Sequence, residues 1–160
     1  RSNITGAISS RKTIQKLIDY VHTDEGQERS RLNESDALRH QVAECFIESE
    51  VQFNFSFRII SMQAAGQIPN YEASTSKLFN SELNQKLART GTQVLGQYAQ
   101  FWGHTDSVTD VSGAEENAYA PLDGDFTRSY VFSVASTIAA GSSEIQRNII
   151  ATRGLGLPRG

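Results

Sequence analysis

Apolar residues recur at helical spacing along most of the chain, and the breaks between periodic stretches are polar or carry glycine and proline. Ile4, Ile8, Ile14, Leu17, Ile18 and Val21 fall on one face of a helix, with Arg11, Lys12 and Lys16 among the remaining positions, which predicts a first helix ending at about Val21. The stretch HTDEGQERSRLNESD, residues 22–36, is too polar to bury and reads as a solvated loop ending in the cap candidates Ser35 and Asp36. Beyond it, Leu38, Val42, Phe46, Phe53, Phe57, Ile60 and Ala64 lie near one face of a long helix. Residues 51–57, VQFNFSF, alternate as a strand would, but only over seven residues, whereas the helical period persists from Leu38 past Ala64. Length therefore decides for the helix, and Gly66 with Pro69 supplies its stop.

Asn70 can cap a third long helix whose stripe is Phe79, Leu83, Leu87, Val94 and Tyr98. Gly91 and Gly96 inside it would each cost up to about 1 kcal/mol relative to alanine, so their presence demands a reason. Residues 102–125 are acidic and irregular and read as a long loop or a short-helix excursion. FTRSYVFSVASTIAA, residues 126–140, is apolar almost all round, the pattern of a buried helix, and Ile145, Ile149 and Ile150 supply the inner face of a last short one. Pro69, Pro121 and Pro158 interrupt none of these segments. The sum is an all-α helical bundle of three long and two shorter helices.

Composition narrows the class. A chain of 160 residues is the size of one domain. With 38% hydrophobic residues, 21% charged residues and a net charge of -3, neither disorder nor electrostatic capture of nucleic acid is expected. The lone cysteine, Cys45, sits among apolar residues, which excludes an intramolecular disulfide, fits a reducing compartment and reads as a buried core thiol. No run approaches the roughly 20 apolar residues of a membrane span, and no signal-peptide core stands near Arg1. The first residue is not methionine and the helical pattern begins at once, as in a piece cut from something longer.

The usual catalytic motifs are not written here. His22, His40 and His104 are scattered and lack the i, i+4 pairing of a metal site, so no metal centre is expected. The DGD at Gly124 lacks the ligand ladder of a calcium loop and reads as a solvated turn. Two segments remain. Gly141, Ser142 and Ser143 stand at a helix start, where Ser143 and Gln146 have the spacing of a capping box; the same N–H groups and dipole end would also suit an anion such as phosphate. In TQVLGQYAQ, residues 92–100, Gln93, Gly96 and Gln97 combine two amides with a glycine that permits close helix packing or the approach of a ligand.

GSSEIQRNIIATRGLGLPR, residues 141–159, resembles the C-terminal signature of the acyl-CoA dehydrogenase family, matched by Gly141, Ser142, Glu144, Ile145, Gln146, Arg147, Ile150 and Ala151. TQVLGQYAQ is similar to the family's Gln-x-x-Gly-Gly stretch, with Gln93 and Gly96 in place and Gln97 where a second glycine is common. The helix order also resembles that family's C-terminal helical domain. The resemblance implies that residues 1–160 are this domain of a longer flavoprotein, with the N-terminal helical and middle β-domains lying outside this sequence. It implies an oxidoreductase that converts an acyl-CoA thioester to the enoyl form, passing hydride to FAD and electrons to an electron-transferring flavoprotein. Such proteins are homo- or hetero-oligomers, dimers or tetramers, of the cytoplasm or, in eukaryotes, the mitochondrial matrix. On the same resemblance Gly141, Ser142, Ser143 and Glu144 line the flavin nucleotide, and Gln93, Gly96 and Gln97 meet its diphosphate or adenosine end.

Two departures shape the expectation. Many members carry a catalytic glutamate directly before the signature glycine, where this chain has Ala140, whose methyl group accepts no proton. No residue of this chain is therefore assigned as the catalytic base. Other members supply it from the start of the first helix, which would lie upstream of Arg1, and Arg1 itself would match an arginine beside the acyl-CoA. The family's Arg-x-x-Phe-Gly after the first helix is also missing, leaving Arg29 or Arg31 as substitute cations for the FAD diphosphate, or as solvated charges. Both departures fit a non-catalytic partner subunit that completes a sister chain's FAD site. A flavin monooxygenase or nitroalkane-oxidising relative on the same fold is a third reading.

Overall fold

A computed structural model describes residues 4–102 and 119–159. Its helices are α1 (Ile4–Val21), α2 (Asp24–Arg29), α3 (Asp36–Ala64), α4 (Tyr71–Leu95), α5 (Asp125–Ser136) and α6 (Ser143–Ile149). Short 3₁₀ segments occupy Leu32–Glu34, Gly96–Gln100 and Pro121–Gly124, and a single π turn follows α6. The three long and two shorter helices of the sequence pattern are present, and α2 is additional. Among the described residues no helix is long and apolar enough to cross a membrane.

Helix α4 is the axis of the bundle and packs against α1, α3, α5 and α6. The core joins Ile14, Leu17, Tyr20 and Val21 of α1 to Val42 and Cys45 of α3, Leu83, Leu87, Val94 and Leu95 of α4, and Phe126 of α5. Gly91 supplies its own explanation here. A Cβ built on it would lie 2.0 Å from Cδ1 of Phe126, a ring that is 1% exposed. The glycine is a socket for that ring, and the packing it permits offsets its poor helix propensity.

Several elements differ from the sequence reading. Residues 22–36 are not wholly loop: Thr23 caps α2 by accepting the Gly26 N–H at 3.0 Å, and the Arg31 N–H donates to the Val94 carbonyl at 2.8 Å, tying the segment to the end of α4. Ser35 caps α3 as expected. The buried positions of α3, however, are Leu38, Val42, Cys45, Ser49, Gln52, Ser56 and Ile59, in strictly alternating steps of four and three, whereas Phe46 and Phe57 are exposed. Small residues win that face because α3 and α4 are seamed by polar contacts, with Gln52 Nε2 donating to the Ser76 carbonyl and hydroxyl. The phenylalanines that set the apparent stripe pack along its flank, Phe53 edge-on to Phe57 at 5.1 Å.

Helix α4 stops at Leu95, three residues short of the predicted stripe, because Gly96 turns the backbone to φ 57 and ψ -125. Asn70 occupies the N-cap position of α4 but makes no capping bond, its Oδ1 accepting instead from Arg153 at 2.9 Å. Helix α5 is not buried: Phe126 anchors it, while Tyr130, Val131, Phe132 and Val134 are more than half exposed. In α6 the inward positions are Ser143 and Gln146, and Ile145 is exposed. Cys45 is buried as expected, its Sγ 3.5 Å from the Thr90 hydroxyl, and burial pushes the thiol pKa up.

Candidate functional site

The turn joining α5 to α6 is built from residues that single it out. Ala140 and Gly141 both adopt left-handed backbone, with φ 56 and 90. For alanine this conformation is costly, so the surroundings must over-determine it. They do: Lys77 Nζ donates to the Gly141 carbonyl at 2.7 Å, and Gln146 Nε2 donates to the Ala140 and Gly141 carbonyls at 3.2 and 3.3 Å. A Cβ on Gly141 would lie 2.6 Å from Gln146 Nε2, so the glycine serves this turn whatever else it meets.

The expected capping box between Ser143 and Gln146 does not form, and the cap is displaced by one residue. Ser142, not Ser143, is the N-cap of α6, and Gln146 reaches back to carbonyls rather than to the Ser143 N–H, which donates to the Thr137 carbonyl at 3.0 Å. Ser143 is 7% exposed and its hydroxyl has no hydrogen-bond partner among the described residues. The Ser142 hydroxyl, and then the backbone N–H of Glu144 itself, hold the Glu144 carboxyl below its usual pKa. This helix start therefore presents a carboxylate beside the Lys77 ammonium, and that carboxylate can accept hydrogen bonds from hydroxyl groups of a ligand.

The second segment forms one wall of a groove of about 520 Å³ at the end of α4. Gly96, Gln97, Tyr98 and Gln100 face Glu28, Arg29, Ser30, Arg31 and Glu34 across it. Ser30 is 7% exposed, and its hydroxyl has no hydrogen-bond partner among the described residues. Arg29 lies over the Tyr98 ring at 5.2 Å and pairs with Glu25 at 2.7 Å, while Arg31 stands 3.7 Å from Glu34. A Cβ on Gly96 would lie 2.7 Å from Cδ of Arg31, so the glycine lets that side chain cross the helix end. Burial, followed by the Glu25 charge, pushes Tyr20 up to about 12 behind this cluster.

The structure thus brings Gly96 and Gln97 together with Arg29 and Arg31. Gln93 is exposed on the last turn of α4 and does not line the groove. Arg1 and His104 lie outside the described residues. Asp123 and Asp125 of the DGD turn are paired with Arg128, and among the described residues no group of three or more His, Cys, Asp or Glu is placed to hold a metal. Two participants escaped the sequence reading. Ser30 is hidden in a stretch read as solvent-exposed, and Lys77 stands 64 positions from the carbonyl it holds, a separation that no periodicity reveals.

The residues permit a test of what part of a flavin dinucleotide they suit. The groove holds two guanidinium groups against the carboxylates of Glu25, Glu28 and Glu34, so its charge does not favour a diphosphate. Its hydroxyl, amides and aromatic face do suit an adenosine, whose edges need hydrogen-bond partners and whose ring needs an apolar plane.

Comparison with known proteins locates the chain. Residues 2–155 match the family model described as acyl-CoA dehydrogenase, C-terminal domain. The curated relatives include acyl-CoA dehydrogenase IpdE1 of Mycobacterium tuberculosis, 62% identical over 40 residues, 23% of this chain and 10% of that protein. The corresponding protein of Mycolicibacterium smegmatis is 66% identical over 35 residues, 22% of this chain and 9% of its own length. Among solved structures, a variant of the Tcur3481-Tcur3483 steroid ACAD superposes with a TM-score of 0.76 at 21% identity, covering 98% of this chain and 37% of its own. The ChsE4-ChsE5 complex from Mycobacterium tuberculosis superposes with a TM-score of 0.71 at 23% identity, over 99% of this chain and 37% of that one.

Proposed function

Because the chain belongs to the acyl-CoA dehydrogenase family through that family's C-terminal domain, we propose that residues 1–160 form the C-terminal helical domain of a longer FAD-dependent dehydrogenase. That enzyme oxidises an acyl-CoA thioester to the 2-enoyl-CoA within a homo- or hetero-oligomer and passes electrons to an electron-transferring flavoprotein. The observation that carries the reading is the match of residues 2–155 to the family's C-terminal domain, and the groove at Gly96 and Gln97, whose buried Ser30 hydroxyl has no partner among the described residues, supports a place for the cofactor's adenosine end. An unsatisfied buried hydroxyl is costly, and rotation of the Ser30 side chain toward the groove would let a ligand hydroxyl or ring nitrogen relieve it.

FAD, when bound, supplies the hydride acceptor. The residues of this chain bind and orient. Ser30, Gln97 and Gln100 offer hydrogen bonds to the adenosine end, Tyr98 offers an apolar plane, and Gly96 keeps the approach open. Ser142 and Glu144 offer acceptors to ribityl or ribose hydroxyls, while Gly141 and Ser143 hold the turn that aims them. The diphosphate is left to groups other than those lining this groove, whose charges are balanced. Gln93, which does not line the groove, takes no part in this arrangement.

A partner-subunit reading is favoured by one observation. Ala140 stands where many family members have the base, and its methyl group takes no proton. The visible spectrum of the purified full-length protein, before and after anaerobic addition of acyl-CoA thioesters, separates the two. A bound flavin band that bleaches supports a self-sufficient dehydrogenase whose base lies upstream of Arg1. A colourless protein that acquires flavin only with a sister chain supports the partner reading, and flavin bound to neither overturns both.

A further inference from the structure

The turn at Ala140 and Gly141 is held by two side chains that are not equivalent. Gln146 Nε2 reaches the Ala140 and Gly141 carbonyls from only six and five residues along the chain, and it belongs to α6, which begins at this turn and moves with it. Lys77 reaches the same Gly141 carbonyl from α4, 64 positions away, and at 2.7 Å its bond is the shortest of the three. The ammonium therefore ties the turn to the axis of the bundle through a charge-assisted hydrogen bond.

The neighbouring ties from α4 fall on either side of the turn. Gln85, about two helical turns beyond Lys77 on the same face, donates to the Thr137 hydroxyl at 3.2 Å, and Glu82 pairs with Arg147. Among the described residues, the hydrogen bond that ties the span between Thr137 and Arg147 to α4 is that of Lys77.

That tie decides an orientation the backbone leaves open. A peptide unit is planar, so the Gly141 carbonyl and the Ser142 N–H point in opposite directions and rotate together. Glycine restricts this rotation little, so a donor from outside the turn has to select it. Ser142 carries the hydroxyl that caps α6 and bonds the Glu144 carboxyl. Turning the Gly141–Ser142 plane away from Lys77 would re-aim both groups. We propose that Lys77 is a positioning residue of the flavin site: by holding the plane of the Gly141–Ser142 peptide it fixes where the Ser142 hydroxyl and the Glu144 carboxylate point, acting through them and not on the cofactor itself. The assignment rests on the proposed dehydrogenase reading, in which those two groups meet ribityl or ribose hydroxyls.

The test is the FAD dissociation constant of the full-length protein, with its sister chain if one co-purifies, followed by flavin fluorescence as the cofactor is released on dilution. Lys77→Met, which keeps an apolar stem and removes the donors, should weaken FAD binding about tenfold. Lys77→Arg, which retains a cationic donor, should stay within about threefold of the parent. Because Lys77 acts through the groups it aims, introducing Lys77→Met into a Glu144→Ala protein should cost less than about threefold, whereas a general loosening of the bundle would cost the same about tenfold on either background. A Lys77→Met protein that holds FAD as the parent does, an arginine that restores nothing, or equal losses with and without Glu144 overturns the positioning role and leaves the dehydrogenase reading standing. A parent protein that holds no FAD, alone or with a sister chain, overturns both.

Discussion

Replacing Gly91 by alanine tests the packing logic of the bundle at its tightest point. The added Cβ would lie 2.0, 2.5 and 2.6 Å from Cδ1, Cε1 and Cγ of Phe126, far inside van der Waals contact. Phe126 is 1% exposed and belongs to the core, so its ring cannot swing into solvent to escape. Overpacking of this kind costs about 1–3 kcal/mol, and the severity of the contact puts this site at the upper end. Alanine regains about 1 kcal/mol of helix propensity over glycine. The net expectation is a loss of about 2 kcal/mol, equivalent to roughly 4–8 °C in Tm for a domain of this size. Urea unfolding followed by circular dichroism measures it, and the double variant Gly91→Ala with Phe126→Leu should restore part of the loss because the smaller side chain vacates the contested space. A Gly91→Ala variant as stable as the parent, or more so, would refute the socket.

Lys77→Met removes the ammonium group from the Gly141 carbonyl and should cost about 1 kcal/mol; amide exchange in residues 137–146 should quicken while exchange in α1 stays unchanged. Tyr20 has its pKa raised to about 12 in the folded chain against 10.0 otherwise, so the stability it contributes is fully present below pH 10 and is lost as pH rises toward 12. Tyr20→Phe should flatten that alkaline decline in a series of unfolding titrations. Native Cys45 should react with a thiol reagent at pH 8 only as fast as the fold opens, because the thiol is buried and its pKa raised; labelling that outruns unfolding would contradict its placement. Ser30→Ala should weaken FAD retention in the full-length protein with little change in Tm, since the hydroxyl it deletes has no bond among the described residues.

The long helices were legible because their apolar positions repeat over many turns, and Gly66, Pro69 and Ser35 mark real ends. The finer errors have physical causes. Four phenylalanines crowd residues 46–57, and Phe46, Phe53 and Phe57 among them drew the α3 face toward themselves, although a close seam with α4 demanded serine and glutamine inside. Helix α2 escaped because its six residues are polar throughout and its support comes from a cap and from a bond to Val94, far along the chain. Helix α5 looked buried because apolar composition records that a face is covered by something, without saying that the cover lies within these residues. At the candidate site, the signature residues were visible, but the one-residue shift of the cap was not. Ser142 and Ser143 are the same side chain, and only Thr137, by accepting the Ser143 N–H, tells them apart.

The strict four-and-three stepping of α3, from Leu38 to Ile59, limits how such a chain can change length. One residue inserted between those positions rotates everything on one side of it by about 100°, which withdraws Gln52 from Ser76 and swings a phenylalanine into a space sized for serine. A seven-residue insertion restores the facing but lengthens the seam by about two turns, which α4 would have to match. Natural variation in length among chains of this kind should therefore gather in the connections, such as residues 22–36 and 65–70, and spare the span from Leu38 to Ile59. In that sense the seam acts as a ruler, fixing the distance between the groove beside Arg31 and the far end of the bundle at the α3–α4 connection.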